Sequence, residues 1–158
     1  MSESAHPNTV RVQQALAAAG SAAQVRRLAE STRTAVEAAA ALGVGVGQIA
    51  NSLVFAADGE PVLVLTSGAH RADVGRLAEV LGAAKIERAT PELVRTATGF
   101  PIGGVAPVGH PAPLRTLVDT ALAAYPVVWA AGGTPDTVFS TTFDELLRLT
   151  GGRPAEVD

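Results

Sequence analysis

Cysteine is absent from the 158 residues, which excludes a disulfide framework, a thiol nucleophile and cysteine-ligated metal. Lysine is nearly absent, since Lys85 is the only one. The three histidines, His6, His70 and His110, show no ligand spacing, so neither a zinc site nor a metal cofactor is expected. No apolar run approaches the roughly 18 residues that a membrane span requires. Met1 to Pro7 is polar and lacks the apolar stretch of a signal peptide, so a soluble, cytoplasmic domain is expected. An excess of basic charge is missing too. The net charge is −3, and the twelve lysines and arginines are scattered, which counts against DNA as a partner and against a nucleic-acid-binding structural protein. A brief contact with RNA needs only a local patch and stays open. With 47% hydrophobic and 17% charged residues, the chain has the composition of one ordered domain.

The periodicity predicts alternating helices and strands. Asn8 is placed to cap a helix with Val12, Ala15, Leu16 and Ala19 inward, ending at Gly20. Gln24 to Leu28 reads as a short strand. Thr32 or Thr34 opens an alanine-rich helix to Gly43, with Val36, Ala39 and Ala40 facing inward. Ile49 to Ala57 and Pro61 to Thr66 flank Asp58-Gly59 and form the clearest hairpin. Its second strand is apolar on both faces and is expected at a covered, central position. A helix over 70–81 carries Val74, Leu77, Ala78 and Leu81 on one stripe. Lys85 to Arg88 reads as a strand, and Thr90-Pro91-Glu92 starts a helix that ends at Gly99. Strands at 114–119 and 127–131, a brief helical or turn segment at 120–124 and a short strand at 137–140 follow. Thr142 to Glu145 is a capping box for a last helix with Phe143, Leu146 and Leu147 inward. Residues 1–7 and 152–158 are expected to be flexible termini around a domain of 8–150. The fold class is α/β (α+β), a single compact domain with a mixed sheet flanked by helices.

One stretch stands apart. Residues 98–111 hold four glycines and three prolines and almost no side chain able to act as acid, base or nucleophile. Glycine permits close backbone approach and proline stiffens the contour, so such a segment presents main-chain N–H groups that suit a carbonyl oxygen, a carboxylate or a phosphate. A plain connection between two elements is the competing reading. Gly104 to Gly109 matches the first half of a phosphate-binding P-loop, but His110-Pro111 stands where Lys-Ser/Thr is required, so the cation and the Mg²⁺ ligand are missing. No dinucleotide fingerprint joins an early strand to a helix. His110 borders the loop, and Asp119 either faces a cleft or caps residues 120–124.

Taken in order, Gln48-Ile-Ala-Asn-Ser-Leu-Val-Phe55, Val62 to Gly68, Thr98-Gly99, Gly103 to Gly109, Val118-Asp119 and Ala130-Ala-Gly132 resemble the YbaK/prolyl-tRNA synthetase editing-domain family. The resemblance covers about residues 8–150 and rests on the order and spacing of the motifs together. It implies a partly barrel-like mixed sheet and deacylation of mischarged aminoacyl-tRNA at its 3′ end, with no cofactor. A synthetase or a tRNA-delivery protein is an implied partner, and the protein would be a monomer or homodimer. It also implies that backbone groups of the loop contact the aminoacyl carbonyl. Carried onto this sequence, the catalytic positions are Gly103, Gly104 and Asn51. Ser52, Thr98, Gly99, Pro107, Gly109, His110, Asp119 and Gly132 are the substrate-binding positions. Two positions depart from the family pattern: Asn51 stands where a lysine is usual, and Gly133 where histidine or arginine is common. Asn51 keeps hydrogen bonding but loses the charge, which makes a binding protein of weak or no activity the alternative.

Overall fold

The computed structural model describes residues 6–28 and 34–158. In chain order its elements are α1 (Pro7–Ala18), β1 (Arg26–Arg27), α2 (Ala35–Leu42), β2 (Ile49–Ala57), β3 (Glu60–Ser67), α3 (Val74–Leu81), β4 (Ile86–Arg88) and α4 (Pro91–Thr98). Then come β5 (Arg115–Asp119), β6 (Val128–Ala131), β7 (Thr137–Thr141), α5 (Phe143–Thr150) and β8 (Arg153–Ala155), with 3₁₀ turns at Val46–Gln48 and Thr120–Ala124. Among the described residues, no helix is long and apolar enough to cross a membrane.

The β2–β3 hairpin forms as its sequence predicts. Asp58 and Gly59 both take positive φ, 50° and 85°, which matches the twist of a two-residue hairpin turn. The Asp58 carboxylate accepts the N–H groups of Ala84 and Lys85, which brings β4 alongside. Helix starts follow local capping chemistry: Thr34 and Glu37 form a reciprocal box at α2, and Thr90 and Thr142 cap α4 and α5.

The sheet runs β1-β7-β6-β2-β3-β5-β8, with β4 on part of β2. Pairs β2/β6, β3/β5 and β5/β8 are parallel and the rest antiparallel, so the sheet is mixed as expected. It stays open, with β1 and β8 as outer strands, and the partly barrel-like form is not reached. Helices cover both faces. Val12 and Leu16 of α1, Val94 of α4 and Leu146 of α5 pack with Leu63 and Leu65 on one side. Leu77 and Leu81 of α3 pack with Val62 and Val64 on the other, where α2 adds Ala38 and Ala39 against Ile49. Strand β3 is therefore covered on both faces, the predicted central position.

Four local expectations need correction. Residues 152–158 are no frayed tail: β8 pairs with β5, and Val157 is wholly buried with Ala155 in the α3 core. The pairing is long-range, so no local pattern announces it. His6, expected in a loose lead-in, caps α1 by accepting the Asn8 N–H at 3.0 Å; Asn8 lies inside the helix, and residues 1–5 lie outside the described residues. In α2 the inward pair is Ala38 and Ala39, while Val36 is 68% exposed and Ala40 is exposed as well. Helix α3 starts at Val74, capped by Asp73, rather than at residue 70, and Val74 is 45% exposed.

Candidate functional site

Strand β2 is left bare along part of one edge. Along one edge it pairs fully with β3. Along the other, β6 covers Ile49 and Ala50, and β4 covers Phe55 to Ala57. Asn51 to Leu53 between them have no strand on that side. Main-chain groups alternate between the two edges of a strand. The Ile49 carbonyl accepts Gly68 N–H on the β3 side, and the Val54 carbonyl accepts Ala89 N–H at 3.1 Å on the other. By that alternation the N–H and C=O of Ser52 face the open side.

A cleft of about 340 Å³ occupies this gap. Residues 49–54 form its floor, and Ala35 and Ala38 of α2 line one wall. Ala131 comes from the end of β6, Thr134 from the turn after it and Thr137 from the start of β7, with Ile102, Gly103 and Val105 from the glycine-rich loop and Arg88 from β4. Asn51 and Ser52 project to opposite faces of β2, so the cleft wraps around the bare strand edge. The Ser52 hydroxyl is buried without a hydrogen-bond partner among the described residues, an uncommon state for a buried polar atom.

The loop is braced from behind. Gly99 ends α4 at φ +78°, and its carbonyl accepts Arg11 Nη2 at 2.7 Å. The Arg11 guanidinium lies 4.4 Å from the centre of the Phe100 ring, and His110 meets the same ring edge-on. His110 Nε2 donates to the Ala106 carbonyl at 2.8 Å. Burial holds the His110 pKa below the ordinary imidazole value; the bond to Ala106 opposes that shift and nearby Arg11 adds to it. Thr98 Oγ1 donates to the Val94 carbonyl at 2.7 Å and accepts the Phe100 N–H at 3.0 Å, closing the end of α4.

At the tip, Gly103 adopts φ +91°, a conformation that a side chain would strain. Gly104 N–H is committed to the Pro101 carbonyl at 3.0 Å, so it is not a free donor here. The N–H groups of Gly103 and Val105 have no acceptor among the described residues. A Cβ at Gly104 would come 3.1 Å from the Gly133 carbonyl oxygen and 3.3 Å from Thr134 Cα. The loop thus rests directly on the turn after β6. That turn is held in its own right: a Cβ at Gly132 would lie 2.8 Å from Val25, and one at Gly133 2.9 Å from the Asn8 carbonyl oxygen. Helix α1 occupies the space that a side chain at residue 133 would need. Asp136 in the same turn has its pKa lowered, first by the bond from Thr134 Oγ1 and then by Arg27.

Of the residues singled out in the sequence, Asn51, Ser52 and Gly103 meet in the cleft. Gly104 and Gly132 set its walls by close packing. Thr98, Gly99, Gly109 and His110 shape the loop from behind, and neither they nor Pro107 line the cavity. Asp119 is elsewhere. It is buried, accepts Ser67 N–H at 2.9 Å and Ala121 N–H at 2.9 Å, and is bonded to His70 Nδ1 at 3.0 Å. It is a cap and structural anchor and does not line the cleft. The sequence reading did not single out Arg88, Thr134 and Thr137 as lining residues. Only the pairing of Arg88 with Phe55 brings that arginine to the cleft, and register is a tertiary property.

Residues 29–149 match the family model of the aminoacyl-tRNA editing domain. The crystal structure of a candidate trans-editing enzyme for prolyl tRNA synthetase superposes with a TM-score of 0.92 at 49% identity, over 98% of this chain and 99% of that one. A crystal structure of a hypothetical protein gives 0.86 at 30% identity, over 93% and 98%. A proline–tRNA ligase of Nitratidesulfovibrio vulgaris (strain DP4) is 42% identical over 89 residues, 56% of this chain and 16% of the ligase. One from Geobacillus kaustophilus is 36% identical over 92 residues, again 16% of the ligase. The chain therefore spans only a small part of the length of these curated relatives.

Proposed function

Because this chain belongs to the aminoacyl-tRNA editing domain family, we propose that it acts in trans as a deacylase, hydrolysing the ester that joins a wrongly attached amino acid to the tRNA 3′ end. The observation that carries this reading is the cleft in which a glycine loop with unused N–H groups faces a bare strand edge. Water adds to the carbonyl carbon, the ester C–O bond breaks, and the proton passes to the departing ribose oxygen. Negative charge gathers on the carbonyl oxygen, and the N–H of Gly103 is the donor assigned to it. One fixed donor of this kind contributes about 3 kcal/mol to the transition state. The Ser52 hydroxyl and main chain take the amino-acid portion. The lining supplies hydroxyls, an amide and one guanidinium but no side chain suited to act as a base. The vicinal hydroxyl of the terminal ribose is therefore assigned to orient the attacking water.

Ala35, Ala38, Ala50 and Ala131 keep the cleft small. Size exclusion is the basis of selection, because one methylene supplies only ~1–3 kcal/mol of binding discrimination. A prolyl-tRNA synthetase or a tRNA-delivery protein fits as a partner that hands over the charged end. Incubation with a panel of mischarged tRNAs tests the reading, with wild type and Asn51→Lys run together. Hydrolysis of at least one ester is expected; no release above the buffer rate on any tRNA sinks it. Asn51 favours one second reading, a binding module without turnover. Tight binding of a non-hydrolysable aminoacyl-adenosine analogue without ester cleavage supports that alternative.

A further inference from the structure

We propose that Arg88 receives the phosphate of the 3′-terminal nucleotide and so fixes the direction in which the acceptor end enters the cleft. This rests on the reading that the cleft accepts an aminoacylated tRNA end.

Arg88 is the only charged residue among the described residues that line the cavity. Among the other basic side chains, Arg11, Arg115 and Arg153 donate to main-chain carbonyls away from the cleft. Four more have acidic partners: Arg27 pairs with Asp136, Arg76 with Glu156, Lys85 with Glu87 and Arg148 with Glu145. Arg88 has none among the described residues, because its neighbour Glu87 is turned to Lys85 at 3.4 Å. The guanidinium is held instead over the Phe55 ring, 5.7 Å from its centre. A cation kept at a cleft by an aromatic face, with its five donors unspent, suits a phosphate, which it can grip with two parallel hydrogen bonds.

Position gives the polarity. Arg88 stands opposite Phe55 in the ladder, four residues along β2 from Asn51, a distance of about 13 Å at the usual strand rise. Asn51, Leu53 and Phe55 share one face of β2, so Asn51 and Arg88 border the same side of the opening. An aminoacyl ester brings an ammonium group at one end and a phosphodiester at the other. The ammonium is repelled by Arg88 and tolerated by the neutral amide of Asn51. The nucleoside then lies between them, with its ester toward Gly103 and its phosphate toward β4. In this chain the positive charge sits at the phosphate end of the cleft rather than at residue 51.

Two probes test the assignment: the 3′-aminoacylamide of adenosine, and the same compound carrying a 5′-phosphate. Wild type is expected to bind the phosphorylated probe roughly tenfold more tightly, the scale of one charge-assisted contact. Arg88→Gln should erase that preference while leaving affinity for the unphosphorylated probe unchanged, which also shows that the variant is folded. Arg88→Lys should restore part of it. With mischarged tRNA, Arg88→Gln should raise KM with kcat little altered, and lower the salt dependence of binding by a slope of about one. Equal weakening of both probes, or no weakening of either, overturns the proposal. A phosphate preference that depends on Arg88 in a protein that hydrolyses no ester would uphold this inference and discard the deacylase reading. Hydrolysis with no phosphate preference does the reverse.

Discussion

Two polar clusters lie along this sheet, and both contain residues that the sequence marks out. At one, Asp119 meets Ser67, His70 and Ala121, and every hydrogen-bonding group named there has a partner: Ser67 Oγ donates to the Gly47 carbonyl, and the carboxylate accepts from three sides. At the other, around Asn51 to Leu53, the Ser52 hydroxyl, the Gly103 N–H and the Arg88 guanidinium have no hydrogen-bond or acidic partner among the described residues. Buried polar groups in folded proteins are almost always satisfied. The first cluster follows that rule and is architecture. At the second only the Ser52 hydroxyl is buried and breaks it, beside the exposed Gly103 N–H and Arg88 guanidinium, and donors gathered in this way around a cavity suit a ligand.

Substitutions can break this contrast. The largest effect is expected from Gly104→Val. Its side chain meets the Gly133 carbonyl within a turn anchored by α1, so the loop must move away from the cleft. Displacing the donor should cost ~10²–10³-fold in kcat/KM, as removal of an oxyanion donor does. A circular-dichroism spectrum like wild type would separate this from unfolding, and full activity would remove the loop from the mechanism. Asp119→Ala should act on stability instead. It strands two N–H groups and an imidazole, at about 3 kcal/mol in all, and a thermal melt should show the midpoint falling by roughly 6–12 °C. Catalysis per folded molecule should survive.

Ser52→Ala sharpens the comparison. Removing an orphaned hydroxyl should leave stability within about 0.5 kcal/mol of wild type, while deacylation slows by roughly tenfold, the scale of one lost hydrogen bond to substrate. A destabilised Ser52→Ala protein would make that residue part of the architecture after all. The smallest effect concerns His110. Its folded pKa lies below its unfolded one, so the unfolded chain binds the extra proton first. The stabilisation is complete above the ordinary imidazole pKa of 6.5 and is lost as pH falls through the lower, folded value. Melting midpoints recorded between about pH 7 and pH 5 should therefore decline more steeply for wild type than for His110→Gln.

The legible features were local ones. Asp58-Gly59 announces its hairpin because only a few residues tolerate two positive φ angles in succession. Thr90 with Pro91, and Thr142 with Glu145, announce helix starts because a cap is satisfied within four residues. Asn51, Ser52 and Gly103 were legible as a set through the order of their motifs. Arg88 was not, since it reaches the cleft only through the pairing of β4 with Phe55. Nor was the strand at 153–155, which satisfies β5 from far along the chain. Gly133, a departure from the family pattern in the sequence, is explained by the Asn8 backbone packed against it.

The interruption along β2 also bears on solubility. Unpaired strand edges invite other chains to add a strand, a common route to aggregation. Here the uncovered run is three residues long, too short for a stable ladder, and β6, β4 and the loop close around it. The same gap that forms the cleft is therefore too short to seat an extended polypeptide.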